Sequence, residues 1–221
     1  MIITKYESIK KEELLLFFEK KDKEMSNIDW AKWGGWFDTD GCFSIYKKGI
    51  KKPVPKVSLS LKDRSPIELF SKTFQTSLSY LERFNPSTKV LEKRFNVHLR
   101  NEKAIWFMKN IKKFINNKNQ KIEEIFNYLN VPYGKEKIEQ TREEFIAWLT
   151  CAFEGDGTFL FSKERKVAFA TFYNSNVVLL EYITNKSKEF NIVKFLKPYN
   201  KGTKGSLGKK DRYQMTISTK M

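Results

Sequence analysis

Two cysteines and a single histidine are all that the 221 residues hold of those types, and their scarcity removes several kinds of chemistry. Cys42 and Cys151 lie far apart in sequence with no partner at metal-ligand spacing, which points to free thiols in a reducing compartment. His98 cannot complete a zinc set with them, and no cysteine or serine has an evident histidine partner for nucleophilic catalysis. Long apolar runs and lipidation signals are also missing, which excludes membrane insertion. Acids are the last deficit: 26 Asp and Glu stand against 42 Lys and Arg, a net charge of +16. Such an excess reads as an electrostatic footprint for nucleic acid, with a membrane surface as the weaker alternative.

What the chain does have is one segment written twice, Trp33-Gly34-Gly35-Trp36-Phe37-Asp38-Thr39-Asp40-Gly41 and Leu149-Thr150-Cys151-Ala152-Phe153-Glu154-Gly155-Asp156-Gly157. The copies lie 156 − 40 = 116 residues apart, so the chain reads as two similar halves fused. A helix-like stretch precedes each (27–38 and 141–154) and an alternating stretch follows (42–48 and 158–163), which puts each acid where a helix meets a strand. Gly41 and Gly157 suit that junction because glycine tolerates the turn that ends a helix. Small residues recur at a spacing of four, Gly35 with Thr39 and Cys151 with Gly155, on one face of each helix. Glycines within a helix cost roughly 1 kcal/mol each against alanine, so the lack of bulk at Gly34 and Gly35 predicts tight packing of the first motif helix on the second. That packing would set Asp40 beside Asp156. Two carboxylates held together oppose each other's ionisation unless a cation lies between them, and a hard, oxygen-preferring ion such as Mg²⁺ suits the pair. The bland alternative is a buried helix pair whose acids merely cap the turns that follow.

The rest of each half has sheet periodicity. In the first, Phe43 and Ile45 alternate with Ser44, Tyr46 and Lys48, a turn is expected over 51–55, and Val57, Leu59 and Leu61 alternate with Lys56, Ser58, Ser60 and Lys62. A helix over 65–74 places Ile67, Phe70 and Phe74 at core spacing. Strands over 78–83 and 90–100 complete a four-stranded sheet, with Phe95, Val97 and Leu99 inward and Arg94, Asn96, His98 and Arg100 outward. The second half repeats the plan: Phe159 and Phe161 inward, Thr158, Leu160, Ser162 and Glu164 outward, then 166–172, a helix over 176–190, and strands over 192–199 and 212–218. Arg212, Gln214 and Thr216 match Arg94, Asn96 and His98. The outward rows carry side chains able to contact phosphates and base edges, and the Gly- and Lys-rich loop 200–211 suits phosphate contact; for any one strand a solvated sheet face is the competing reading.

At their small, apolar and acidic positions and at the closing Asp-Gly, both segments resemble the LAGLIDADG homing endonucleases, and the resemblance extends over most of the chain from about Ile28. The first copy departs from the family pattern at Trp33, Gly34 and Trp36 and the second at Thr150, Cys151 and Ala152; neither departure removes the terminal acid. The resemblance implies an α+β fold of two tandem αββαββα-type repeats forming a pseudo-twofold saddle of two antiparallel sheets, whose concave side lies along duplex DNA with ribbons in the major groove. It implies Asp40 and Asp156, with Gly41 and Gly157 beside them, as the metal site for Mg²⁺ or another divalent cation such as Mn²⁺, catalysing phosphodiester hydrolysis by ordered water. Asp38 and Glu154 are expected to cap or orient rather than to ligate. Asp63 and Asn174, placed at matching positions, are expected to organise water, and Lys118 resembles the family's basic residue near the scissile phosphate. The expected DNA contacts are Ser44, Tyr46, Lys48, Lys56, Ser58, Ser60, Lys62, Arg94, Asn96, His98, Arg100, Thr158, Ser162, Arg212, Gln214 and Thr216.

Three segments are expected: a Lys- and Glu-rich leader over 1–26, helical or partly disordered, whose acids argue against a transit peptide; a first repeat with closing helices over 27–135; and a second repeat over 136–221. The stretch 104–129 has no second counterpart, which makes the second repeat a shortened one. The leading function is a site-specific, intron-encoded endonuclease acting on a long asymmetric double-stranded DNA site, with both motifs in one chain so that a monomer suffices. An RNA maturase that binds its host intron RNA is the alternative, and a basic DNA-binding regulator a third. Abundant Lys, Asn, Ile and Phe are served by A/T-rich codons, which points to an organelle, chloroplast or mitochondrion, as the place of synthesis.

Overall fold

The computed structural model describes residues 11–47, 53–85, 89–134, 139–164, 167–192, 195–201 and 213–220. In chain order they form α1 (Lys11–Glu24), α2 (Asn27–Thr39), β1 (Gly41–Tyr46), β2 (Val54–Leu61), α3 (Arg64–Phe74), β3 (Leu78–Asn85), β4 (Val90–Arg100) and α4 (Asn101–Ile111). A 3-10 turn (Lys112–Phe114), α5 (Asn119–Tyr128), α6 (Arg142–Asp156), β5 (Gly157–Ser162), β6 (Val167–Asn174), α7 (Val177–Glu189), β7 (Phe195–Lys201) and β8 (Tyr213–Lys220) follow. The fold is α+β, with two antiparallel four-stranded sheets ordered β1-β2-β4-β3 and β5-β6-β8-β7. Among the described residues no helix is long and apolar enough to cross a membrane.

Both motif helices are started by the same local device. Ser26 Oγ accepts the Asp29 amide while Asp29 accepts the Ser26 amide, and Thr141 and Glu144 do the same for α6. These reciprocal bonds satisfy amides that a helix start otherwise leaves unpaired. Asp63 caps α3 and Asn176 caps α7, each accepting from the amide two residues on. Of the expected leader, the part from Lys11 is helix α1, docked through Phe18 stacked on Trp106 at 5.1 Å and Asp22 accepting the Trp106 indole.

α2 and α6 pack directly on one another. A Cβ at Gly35 would stand 2.1 Å from the Trp148 carbonyl oxygen and 2.8 Å from the Ala152 nitrogen, so the two backbones touch where a side chain would be. Gly155 has the reciprocal position, 2.2 Å from Thr39 Oγ1 and 2.7 Å from Asp40 Oδ2 by the same construction. Gly34 departs in part from the expectation: the added atom would meet Phe114 of the 3-10 turn before Trp148 of α6. Gly41 and Gly157 are also needed for a different reason from the one expected. Gly157 is in ordinary extended backbone at φ −97°, and what excludes a Cβ is the preceding helical turn, Phe37 at 2.3 Å for Gly41 and Phe153 at 2.4 Å for Gly157.

The first sheet follows the predicted alternation. Phe43, Val57, Leu59, Val97 and Leu99 are buried, while Arg94, Asn96 and His98 remain partly accessible. β2 already includes Val54 and Pro55, which the expected turn had claimed, and β3 runs two residues further, to Asn85. Lys48 lies outside the described residues. The core is aromatic, with Trp33, Phe37, Phe70, Phe74 and Phe107 in mutual ring contact.

The second sheet corrects one expectation. Phe159 and Phe161 do lie on the strand face opposite Leu160, and Phe159 touches Phe153, but they are 71% and 54% exposed. In the first half α5 lies against β1 and Phe43 is 3% exposed; in the second, β8 is the last described element, and alternation alone cannot tell whether a covering layer exists. Arg212 falls outside the described residues, as does most of the loop 200–211.

Candidate metal and nucleic-acid site

Asp40 and Asp156 end the two packed helices, Asp40 as the residue that closes α2 and Asp156 as the last of α6. Because the Asp40 carboxylate lies against Gly155, the chain neighbour of Asp156, helix packing brings the two acids to one place. Burial pushes the Asp40 carboxyl above the usual carboxylate range, against the pull of Lys118 and Arg94 nearby. Among the described residues no group donates a hydrogen bond to it. A cleft of about 780 Å³ opens beside it, lined by Trp36, Asp40, Asp63, Arg94, Glu154 and Gly155.

Lys118 is at this place, with its ammonium turned to the backbone. Its ammonium donates to the carbonyls of Phe37 and Thr39, both at 2.8 Å, in the last turn of α2 and of Gly41 at 2.6 Å at the start of β1, so three donors are spent where α2 ends. In this arrangement it is a cation at a helix C-terminus, where the backbone partial charge is negative. Gly41, expected in the metal site, has its carbonyl turned to the same ammonium. Burial lowers the Lys118 pKa, while Asp38, Asp40 and Asp156 hold it up.

Asp38 sets the Lys118 loop in place. The carboxylate is fully buried and accepts the amides of Asn116 at 2.7 Å and Asn117 at 2.8 Å and the indole of Trp148 at 3.2 Å. Even so, burial raises its pKa to about 6, with the amides and Lys118 opposing. Glu154, its repeat counterpart, accepts the Trp36 indole at 2.8 Å. Each motif helix thus gives an indole to the acid of the other, and both acids orient as expected.

The polar pair expected at matching positions, Asp63 and Asn174, does not match. Gly41 pairs with Leu59 and Gly157 with Phe172, which makes Leu61 the counterpart of Asn174 and Asn176 the counterpart of Asp63; both of the latter cap helices. The β1–β2 connection is longer than that between β5 and β6, so the separation of 157 − 41 = 116 residues at the motifs falls to 172 − 59 = 113 at the second strands, and Asp63 meets Asn176. Asp63 is exposed, lines the cleft and is engaged by Ser65, whereas Asn174 donates to Asp156 Oδ2 at 2.8 Å. Asn174 also accepts the Asn176 amide, Asn176 donates to Asn117, and Asn117 donates to the Asp38 carbonyl. This chain of amides ties the second acid to the first motif; Asn117 and Asn176 were not legible as site residues, their one signal being the helix-cap position of Asn176.

The outward faces flank these acids. On the first sheet Ser44, Lys56 and Arg100 share a row, as do Cys42, Ser58 and His98, and Ser60 pairs with Asn96. Tyr46 is exposed at the far end of β1, and the exposed Lys62 pairs with Glu92 at 3.0 Å. Burial lowers the His98 pKa, and Arg100 and Lys56 add to the effect. On the second sheet Thr158, Thr171 and Thr216 form a row; the backbone of Ser162 and Gln214 is described, their side chains are not.

Solved structures share this architecture at low identity. The homing endonuclease I-DmoI, in a set of mesophilic variants, superposes with a TM-score of 0.50 at 13% identity, covering 87% of this chain and 90% of that one. I-DmoI in complex with DNA and calcium gives 0.50 at 12% identity, covering 86% of this chain and 82% of that one. No protein-family model matches the sequence, and no curated protein does. The chain therefore has the α+β fold with antiparallel sheets seen in LAGLIDADG homing endonucleases.

Proposed function

We propose that this chain is a metal-dependent, site-specific endonuclease of double-stranded DNA, a homing endonuclease that acts as a monomer. The observation that carries this reading is the placement of Asp40 against Gly155, which puts two acids at the foot of a helix pair in a chain with two antiparallel four-stranded sheets. I-DmoI, with the same fold, is a homing endonuclease that binds DNA together with calcium, which supports a DNA partner and a divalent ion. Among the described residues no three His, Cys, Asp or Glu side chains converge, so no closed protein cage is available. Two carboxylates, one of them desolvated and, among the described residues, without a donor, fit an ion such as Mg²⁺ or Mn²⁺ that completes its shell with water and phosphate oxygens.

When bound, such an ion polarises the phosphoryl oxygen and stabilises the leaving oxygen. The chain's own residues do the positioning. Lys118 ties down the turn that carries Asp40, Asp38 fixes the loop that carries Lys118, and Asn174 orients the Asp156 carboxylate. Arg94 lies near enough to Asp40 to bring a positive charge to the phosphate entering the cleft. Its resemblance and composition suggest an intron-encoded enzyme made in an organelle.

The test is cleavage of a randomised duplex library with Mg²⁺ or Mn²⁺, run beside Asp40→Asn and Asp156→Asn. Defined cuts that disappear in both variants, with their denaturation midpoints unchanged, are expected. An absence of cuts together with retained binding of intron RNA would replace this reading with an RNA maturase.

A further inference from the structure

The two outward sheet faces use the same framework for different chemistry. The pairs Gly41–Leu59 and Gly157–Phe172 fix which residues correspond. One row out, Cys42, Ser58 and His98 correspond to Thr158, Thr171 and Thr216. In the next row the first sheet has Ser44, Lys56 and Arg100, and the second has Leu160, Phe169 and Ser218. The two basic residues of the first row are thus replaced by Phe169 and Ser218, and Ser44 by Leu160, so two large apolar side chains enter a row that carries two positive charges in the other half.

Missing helical cover does not explain this. Phe159 and Phe161 lie on the face that helices cover in the first half, whereas Leu160 and Phe169 lie on the opposite face. Leu160 is nevertheless 58% exposed. A large aliphatic side chain held open on a face whose counterpart is basic is suited to an apolar ligand edge. In the DNA major groove the one apolar base feature is the thymine methyl group, while Arg and Lys pair with guanine O6 and N7.

We propose, resting on the endonuclease reading above, that the target has unlike halves. Lys56 and Arg100 read guanine in the first half-site, and Leu160 and Phe169 read thymine methyls at the matching distance from the centre in the second. The threonine row, through the methyls of Thr158 and Thr216, extends the A·T preference one step inward. Guanine discrimination by a bidentate contact amounts to about 5- to 150-fold, and loss of one methyl contact to about 4-fold.

The experiment is selection of bound duplexes from a randomised library without divalent cation, followed by sequencing, for the wild type, Arg100→Ala, Leu160→Ser and Phe169→Lys. Expected are guanine at one position of one half-site and an A·T pair at the symmetry-related position of the other. Arg100→Ala should relax only the first, Leu160→Ser only the second, and Phe169→Lys should move the second toward guanine. Leu160 is exposed, so its variant keeps the test decisive if Phe169→Lys does not fold. Equal base usage at the two positions would overturn the inference while leaving a DNA-binding enzyme. So would uniform weakening of all sequences by Arg100→Ala with a smaller salt slope, the mark of a phosphate contact. Failure to enrich any duplex would overturn both this inference and the endonuclease reading.

Discussion

Substituting Gly35 by alanine sets two effects of opposite sign against each other. On propensity alone, a glycine inside a helix replaced by alanine stabilises the protein by roughly 1 kcal/mol. Packing says the reverse. The new methyl would lie 2.1 Å from the Trp148 carbonyl oxygen, and ordinary contact begins at 3.4 Å, so α2 and α6 must part by about 3.4 − 2.1 = 1.3 Å. The obstacle is backbone, which cannot swing aside as a side-chain tip can, and this places the overpacking cost near the upper end of its usual range, about 3 kcal/mol. Net destabilisation is then about 2 kcal/mol. The same displacement separates Asp40 from Asp156, and misplacement by about 1 Å can cost on the order of 100-fold in rate. Urea titration followed by tryptophan fluorescence measures the first quantity and single-turnover cleavage the second. Gly134→Ala is the control, because its methyl would meet only the flexible Lys112 ammonium at 3.1 Å and should change stability by less than about 0.5 kcal/mol. A Gly35→Ala protein as stable as the wild type, or more so, would refute the reasoning that the helices touch at this glycine.

Other outcomes follow from the same geometry. Lys118→Met leaves three carbonyl oxygens without their ammonium and should lower stability by about 1–3 kcal/mol as well as slow cleavage; unchanged stability with slow cleavage would instead mean that Lys118 acts on the phosphate. Asp38 has a folded-state pKa raised from 3.8 to about 6, so its contribution favours the fold below pH 3.8 and is lost as pH rises through 6, a change of about 3 kcal/mol. Asp38→Asn should remove that slope, and denaturation at pH 4.5 and 7.5 that shows identical slopes for both proteins would contradict it. Phe159→Ser together with Phe161→Ser should change stability by less than about 1 kcal/mol while raising the concentration at which the protein aggregates, since both rings are already exposed; a large loss of stability would show that they are covered in solution.

Local rules made much of this protein legible in its linear chain. The helix-like stretches before each acid, alternation along β1, β2 and β4, and the apolar spacing of Ile67, Phe70 and Phe74 act over a few residues, so the chain itself determined these helices, most strands and the inward and outward faces of the first sheet. The duplicated acid-glycine motif likewise pointed to a packed helix pair ending in Asp40 and Asp156. Only tertiary structure decided the rest, because it depends on atoms far apart in sequence. Lys118 is drawn inward by carbonyls at the end of α2 and the start of β1, with bonds that span 77 to 81 positions. Asn176 replaces Asn174 as the counterpart of Asp63 because strand pairing fixes the correspondence across connections of unequal length. Phe159 and Phe161 stay exposed because a strand's alternation states which face is apolar, whereas burial requires a second element to lie against that face.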